Sequence, residues 1–484
     1  MKRALVLFFL VFFRCASCDP ISLYKLTLEQ AEMIAIENNN QVNGVRELFK
    51  KAKEGRLESI SKWLPKIDAF TTAFAASADQ FFSNSKSAFM TQLALTQSIF
   101  SSDVYYNIKI STLIEEQLRL LLNAAIIDVL FQTRVSYYRV ILDMENIHAA
   151  EDKIELLAFL SQKMEDRYEI GTSILYNVNQ SKVAIANATT DYYESIKQRK
   201  VDMDSLATVL GYDPGDVKIT FARVEIPVQD IPELKEKLEK LQPILNENTM
   251  NLGKRIFKED YPESEQRAMQ KLFSRYEIKS FEDKALKYQP TLKVYENQVN
   301  IAKKEVSKTL GEYMPKVGFN FNFGGAPTNL IELPSSRFTN QTFQWGAGVT
   351  LNWLVFDSFG RERRVRQARY QKNAKYYKYR KETQDTFASV RKSVFEIEES
   401  ASTFLTATSN VKLAEQTIKL ANDQLEVGYG TIFDYQITVD GLIQAVNTKN
   451  KSRYDLLKAY YSLIHATGED LIKHQEVKGD KSKF

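Results

Sequence analysis

Beyond residue 18 this chain of 484 residues contains no cysteine; its only two are Cys15 and Cys18. A thiol nucleophile, a structural disulfide and a cysteine zinc site are therefore excluded from everything downstream. Histidine is almost as scarce. His148 stands alone and His465 and His474 are nine apart, so no HExxH or similar ligand spacing exists. The 18 glycines and 11 prolines are too few for a linker-dominated chain and point to long uninterrupted elements. No charge sign dominates: 65 basic and 61 acidic residues leave +4, without the basic excess of a nucleic-acid binder. A Walker sequence is missing too, so no ATP-driven activity is expected of the chain itself. Its acidic residues show helical salt-bridge spacing rather than catalytic pairing. The expectation is a non-enzyme without cofactor or metal. What is present is 44% apolar residues, enough for a large core and too many for a disordered chain.

The N-terminus reads as an address. Lys2 and Arg3 precede the apolar run 4–13, and small residues follow around Cys15-Ala16-Ser17-Cys18. That is the pattern of a secretory signal peptide over residues 1–18. Ten apolar residues fall well short of the roughly 20 that span a bilayer. Cys18 sits in a degenerate lipobox lacking the usual Leu three positions earlier, so lipidation and plain cleavage both stay open. The richest later apolar stretch, residues 118–131, is interrupted by Arg119, Asn123 and Asp128. Any membrane passage of the mature chain is then not helical.

Two halves of the chain read alike. Glu169-Ile170-Gly171-Thr172 returns as Glu426-Val427-Gly428-Tyr429, an offset of 257, and the stretch ending at Gly211 returns at Gly468 with the same offset. Leu64-Pro65-Lys66 returns as Met314-Pro315-Lys316, and Ser98-Ile99-Phe100-Ser101 as Leu354-Val355-Phe356-Asp357. Four matches in one order indicate an internal duplication. Each half predicts a helix (27–62; 281–312), two extended runs (66–78 and 88–100; 316–324 and 343–356) and a long helical pair turning at Gly (103–169 and 174–210; 360–427 and 432–467). A helix over 103–169, with no Gly or Pro, would be about 100 Å long if unbroken. Around residues 120–131 its apolar positions wrap nearly the whole circumference, as in a helix flanked by others within a cylinder.

The extended runs alternate with period two. Val317, Phe319, Phe321 and Phe323 share one face; Gly318, Asn320, Asn322 and Gly324 share the other. Trp345, Ala347, Val349, Leu351, Trp353 and Val355 likewise oppose small and polar residues. Trp345 and Trp353 would lie about 27 Å apart along one strand, close to the apolar band of outer-membrane barrels with their aromatic girdles. A soluble half-buried sheet alternates the same way; the signal peptide and the lack of an apolar spanning helix favour lipid. Four strands cannot close a barrel, because the smallest single-chain barrels have eight. Several chains must share one, and twelve strands from three chains is the natural solution.

At this point the residues resemble a known family. Leu26-Thr27-Leu28-Glu29-Gln30-Ala31 with Ile36-Glu37-Asn38-Asn39, the Leu64-Pro65-Lys66 strand start, Gln97-Ser98-Ile99-Phe100, Arg167-Tyr168-Glu169-Ile170-Gly171-Thr172-Ser173 and Trp353-Leu354-Val355-Phe356-Asp357 make the chain similar to the TolC-like outer-membrane efflux proteins over nearly all of the mature sequence. The resemblance implies a mainly helical duplicated fold. Four strands per chain would complete a trimeric twelve-stranded barrel in the outer membrane, on a long periplasmic helical barrel. The parts are a signal peptide 1–18, a first repeat 19–211, an equatorial region 212–280, a second repeat 281–468 and a polar tail 469–484. A homotrimer, a periplasmic adaptor, an inner-membrane pump and outer-membrane lipid are the implied partners, with no nucleic acid. Ile170, Gly171 and Thr172 with Val427, Gly428 and Tyr429 map onto the periplasmic tip that meets the adaptor. Asp434 matches one Asp of an acidic constriction found in some members. Ile437 stands where those members have a second Asp, and Asn177 is the first-half counterpart of Asp434. The implied function is a passive exit conduit energised by its partners.

Two other classes remain: an exported long-helical structural or adhesive coiled coil, and an exported enzyme built on Asp, Glu or Ser. Arg361, Arg363, Arg364, Arg366 and Arg369 form a basic run followed by Tyr376, Tyr377 and Tyr379. It reads as a solvated helix start just below the lipid band rather than a nucleic-acid site.

Overall fold

A computed structural model describes residues 21–75, 87–221, 226, 231–232, 234–239, 273–325 and 343–470. The signal peptide, Cys18, most of 222–272 and the tail beyond 470 lie outside the described residues. In chain order the elements are β1 (Ile21–Leu26), α1 (Leu28–Asn38), α2 (Asn40–Ser61), β2 (Lys66–Ala75), β3 (Ser87–Phe100), α3 (Ser102–Glu169), α4 (Leu175–Val209) and β4 (Val217–Phe221). Then follow α5 (Arg275–Tyr288), α6 (Pro290–Gly311), β5 (Lys316–Gly325), β6 (Phe343–Asn352), α7 (Gly360–Val427) and α8 (Ile432–Thr467). The duplication is visible in the lengths: α3 and α7 have 68 residues each, α4 has 35 and α8 has 36. Among the described residues no helix is long and apolar enough to cross a membrane.

The chain divides into two compact units. One comprises Met1–Asn43, Ala125–Gln289 and Thr386–Phe484; the other comprises Gly44–Ala124 and Pro290–Asp385. The second unit holds the sheet. β2, β3, β5 and β6 form a four-stranded antiparallel meander in that order, with β2 and β6 at its edges. The register decides its chemistry. Ile67 faces Leu95, Leu95 faces Phe321, and Phe321 faces Ala347 across the three ladders. The next row joins Ala69, Leu93, Phe323 and Trp345. Directly opposed residues share a face, so these rows make one largely apolar surface, interrupted by Gln97 opposite Phe319 and bordered by the Thr71–Thr91 pair. On the other face Asp68, Ala94, Asn322 and Gly346 align, and Asn320 donates to Thr350 Oγ1 (2.7 Å). The apolar surface is uncovered: Trp345 is 73% exposed, and Ile67, Val349 and Leu351 are exposed as well. Trp345 stacks on Phe321.

Three of the expected elements differ. The run expected over 343–356 leaves the ladder after Asn352, whose partner is Lys316. Pro315 precedes that partner and has no N–H to extend the pairing. Trp353 therefore lies one residue past the strand, its Nε1 donating to the Tyr313 carbonyl (3.1 Å). Ser358 and Phe359 then take left-handed φ of 56° and 66° before α7 begins. The Asp357 carboxylate holds this bend by accepting from the Arg361 N–H (2.9 Å).

The helices expected over 27–62 and 281–312 are each two. α1 ends at Asn39 and α5 at Gln289, both with extended ψ (127° and 114°). Pro290 explains the second break, because a following proline disfavours the helical conformation. Asn39 explains the first: its Oδ1 caps α2 through Gln41 N and Val42 N. Both break residues then turn their amides outward in the same way. Asn39 Nδ2 donates to the Val209 carbonyl at the end of α4 (2.8 Å), and Gln289 Nε2 to the His465 carbonyl at the end of α8 (3.1 Å). Asn39 and Gln289 are 250 apart, the offset already seen at Leu64 and Met314.

In the first unit β1 pairs parallel with β4, a small sheet that the sequence pattern did not announce. Tyr137 of α3 packs on it, its Oη donating to the Leu26 carbonyl and its ring against Phe221. Ile127, Val129, Leu130, Val140, Ile141 and Leu142 are buried, which uses the all-round apolar pattern of α3. A second core joins Leu157, Leu160 and Met164 of α3 to Val178 of α4, Leu425 of α7, and Ile432, Tyr435 and Val439 of α8.

Candidate functional site

That second core supports the two turns that join the long helices. α3 stops at Gly171, whose φ of +77° reverses the chain, and Thr172 N donates back to the Arg167 carbonyl (2.8 Å). α7 stops in the same way at Gly428 (φ +86°), with Tyr429 N and Gly430 N both donating to the Gln424 carbonyl (3.0 Å). A left-handed Gly closing a helix satisfies its last carbonyls without steric cost. The structure brings these two turns together through cations on α3. Arg167 Nη2 donates to the Leu425 and Glu426 carbonyls (2.5 and 3.4 Å), placing a positive charge at the C-terminus of α7. Lys163 Nζ reaches Asn422 Oδ1 (3.0 Å) and Glu426 Oε1 (2.9 Å). Glu426, an exposed residue, is held below the usual carboxylate range by that Lys163 bond.

Ile170, Gly171 and Thr172 thus share one site with Val427, Gly428 and Tyr429. Its outer surface mixes exposed apolar side chains with exposed Glu169 and Glu426: Ile170, Val427 and Tyr429 are 74, 72 and 88% exposed, and Ile174, Leu175 and Tyr176 are exposed as well. Lys163 and Arg167, which join the two halves, carry no sequence signature, because their partners lie about 259 residues away.

Asp434 and Asn177, the constriction candidates, both sit in first helical turns. Asp434 is the third residue of a capping box with Thr431. Its Oδ2 accepts from the Thr431 hydroxyl (2.6 Å) and N–H (3.0 Å), while Thr431 Oγ1 accepts from Asp434 N. The Thr431 side-chain bond, then its backbone bond, hold this carboxyl below its ordinary range. Asp434 therefore stays charged and is fully exposed, in a position that the helix dipole also favours. Asn177 Nδ2 donates to Ser173 Oγ (3.2 Å), but the N-cap of α4, Ile174, makes no side-chain cap bond, so the capping box is not repeated.

The same unit contains a polar cavity of about 740 Å³ between α3, α4 and α8. Lys153 crosses it, bonded to Asp191 (2.9 Å) and Asp440 (3.1 Å). Asp143 lines it at 4% exposure, with one oxygen lacking any donor. Burial first, then hydrogen bonding and repulsion from Asp202, push Asp143 up to about 7, against Arg139 and Arg199. Burial would raise Asp202 too, but its bonds to Asp143, Gln198 and Arg139 hold it low. A proton on Asp143 supplies the missing donor, shared with Asp202. The folded state thus binds a proton that the unfolded chain has lost above pH ~4. Stability falls as pH rises from about 4 to 7. The ceiling is about 4 kcal/mol, and water in the cavity reduces it to the order of 2 kcal/mol. Asp143→Asn is expected to flatten the decline of the thermal midpoint between pH 5 and 8; an unchanged slope would remove Asp143 as its source.

Among the described residues no group of three His, Cys, Asp or Glu could hold a metal ion.

Residues 282–469 match the family model for outer membrane efflux proteins. The alkaline protease secretion protein AprF of Pseudomonas aeruginosa is 22% identical over 189 residues, 39% of this chain and 38% of that relative. The alignment therefore spans well under half of the curated relative. Among solved structures, the CmeC outer membrane channel of Campylobacter jejuni superposes with a TM-score of 0.72 at 15% identity, covering 91% of this chain and 85% of CmeC. The outer membrane protein VceC of Vibrio cholerae gives 0.69 at 13%, covering 91% and 96%. The resemblance read from the sequence is borne out, and the fold is that of these channels.

Proposed function

We propose that this chain, in which residues 282–469 carry the outer membrane efflux domain, is the outer-membrane conduit of an export system. The observation that carries this reading is the sheet: one largely apolar exposed face and two edge strands, β2 and β6. β2, β5 and β6 are ten residues each and β3 is fourteen, long enough for a tilted passage through hydrocarbon. In lipid an open edge costs several kcal/mol per unpaired backbone group, so β2 and β6 must find partners. They run in opposite directions, so the β6 edge of one copy fits the β2 edge of the next as an antiparallel pair. Three copies give twelve strands and close the ring.

The rest of the assignment follows that arrangement. Residues 1–18 direct export, with Cys18 as the candidate lipidation site. Residues 19–211 and 281–468 are the two repeats, with the equatorial region 212–280 between them in sequence. Trp345 and Trp353 mark the aromatic girdle of the lipid band. The turns at Ile170-Gly171-Thr172 and Val427-Gly428-Tyr429 form the periplasmic tip. Their exposed apolar side chains dock an adaptor that links the conduit to an inner-membrane pump. Three copies of Asp434, charged and exposed, make an acidic ring that attracts cations, with Asn177 as its neutral counterpart. Transport through the conduit is passive. The test is extraction and reconstitution: detergent-solubilised protein is expected to run as a trimer and to give discrete conductance steps in planar bilayers. A water-soluble monomer without detergent, with no conductance, would leave only an exported helical rod.

A further inference from the structure

The start of α7 is charged far beyond the average of the chain. Residues 361–381 contain ten Lys or Arg and one acidic residue, Glu362, in a chain whose net charge is +4. The matching start of α3, residues 103–123, has Lys109 and Arg119 against Asp103, Glu115 and Glu116. Turning from a strand into a long helix therefore does not require the basic run. The bias extends to the whole unit: the one holding the sheet has 26 basic and 16 acidic residues, the other 39 and 45.

The structure divides the arginines into two sets. Arg361 and Arg364 are used locally. Arg361 is buried and donates to the Val355 carbonyl (2.9 Å); Arg364 bonds Glu312 (2.8 Å) and Asp357 (3.2 Å). Arg363, Arg366 and Arg369 point to solvent. Among the described residues no carboxylate pairs with Arg363 or Arg369, and Arg366 has only a loose exposed contact with Glu362 at 3.7 Å. Helical periodicity puts Arg363, Arg366 and the exposed Tyr370 on one face, with Arg369 at its border. Directly before this face, Val355, Phe356 and Phe359 are exposed apolar side chains. Within about one helical turn the surface changes from apolar to cationic.

We propose that Arg363, Arg366 and Arg369, with Tyr370 as an aromatic anchor, bind the anionic head groups of phospholipids in the periplasm-facing leaflet. This rests on the reading that the sheet lies in lipid. The depth fits: with the apolar band ending at Phe359, these arginines occupy the next ~6–15 Å along α7, where the head-group zone of a bilayer meets water. A guanidinium engages a phosphate through two parallel N–H donors, which favours Arg here over Lys. An arginine near an anionic surface raises local lipid affinity severalfold, and salt screens it. Lys378, Arg380 and Lys381 lie at least 13 Å or so deeper than Arg369 and are outside that reach.

The full-length protein is incorporated into vesicles of phosphatidylcholine and phosphatidylglycerol at 7:3, extracted gently, and the co-purifying lipid is quantified. Phosphatidylglycerol is expected to be enriched about fivefold over bulk at low salt and to fall to parity at 1 M salt. Arg363→Gln, Arg366→Gln and Arg369→Gln together are expected to abolish the enrichment while conductance steps persist, which shows that the variant folds. The charge-matched control Lys378→Gln, Arg380→Gln and Lys381→Gln is expected to retain it. Parity in the wild type, or enrichment unchanged in the first variant, overturns the proposal. So does an unchanged lipid ratio with a shifted reversal potential, which would place these arginines inside the conduit. A wild type that neither enters vesicles nor conducts fails the membrane reading itself, and the lipid face with it.

Discussion

Arg134→Met is expected to destabilise the folded chain by about 3–5 kcal/mol, the cost of stranding buried carboxylates without their cation. Arg134 lies in the core of α3 at 7% exposure. Its Nε donates to Glu32 Oε1 of α1 (2.5 Å) and its Nη1 to Asp470 Oδ1 just beyond α8 (2.7 Å). Glu32 and Asp470 are buried too. Burial alone would lower the Arg134 pKa, but Asp470 and then Glu32 outweigh it and hold the guanidinium above its ordinary value. Its face rests on Tyr461 (4.9 Å), which in turn stacks on Tyr138. One side chain therefore ties the N-terminal helix, the longest helix of the first repeat and the end of the second repeat. Guanidinium unfolding in detergent measures the loss. Adding Glu32→Leu and Asp470→Leu to Arg134→Met is expected to recover most of it, because an apolar cluster of similar size needs no counter-charge. A loss below about 1 kcal/mol in the single variant would place the triad in contact with water and reduce it to the worth of a surface pair.

This triad marks where the sequence stops being legible. Glu32, Arg134 and Asp470 are separated by 102 and 336 residues, and nothing local distinguishes them from the solvated charges around them. The same holds for Lys163 and Arg167, and for β1 and β4, which pair across nearly 200 residues. Local periodicity and chain breakers carried much further. Strand alternation located all four strands of the sheet, and their registered pairing turned it into one largely apolar face. Runs free of Gly and Pro located α3 and most of α7, and the Gly motifs located both turns. The misplaced boundaries had physical causes that single-strand or single-helix patterns cannot show. β6 stops at Asn352 because its partner strand runs out at Pro315. α1 stops at Asn39 because a polar side chain there serves two helices at once. For the candidate site, Gly171 and Gly428 were readable from the repeat offset, and Asp434 only from the family resemblance. The capping box that keeps Asp434 ionised was already spelled out as Thr431-Ile432-Phe433-Asp434.

Two further glycines connect the duplication to stability, and Gly211→Ala is expected to cost about 3 kcal/mol. Gly211 follows α4 with φ +86°, and Gly468 follows α8 with φ +73°. The left-handed conformation alone costs an L-residue roughly 1–2 kcal/mol. At Gly211 a Cβ would also sit 2.5 Å from the Asn38 carbonyl oxygen; at Gly468 it would sit 2.9 Å from the backbone of Tyr288 and Gln289. These are backbone atoms at the α1–α2 and α5–α6 breaks, and they cannot swing aside as a side chain would. Moving them also pulls on Asn39 and Gln289, whose amides hold the last carbonyls of α4 and α8. The steric part adds about 1–2 kcal/mol, more at Gly211 than at Gly468. Gly171→Ala and Gly428→Ala provide the control. Their φ values of +77° and +86° carry the same conformational cost, but nothing lies within 4 Å of either added methyl. Thermal midpoints of the four variants should therefore fall into two pairs, with the Gly211 and Gly468 variants lower. If all four fell equally, the close approach of each second-helix end to the preceding helix break would contribute nothing, and only backbone conformation would remain as the reason for glycine at 211 and 468.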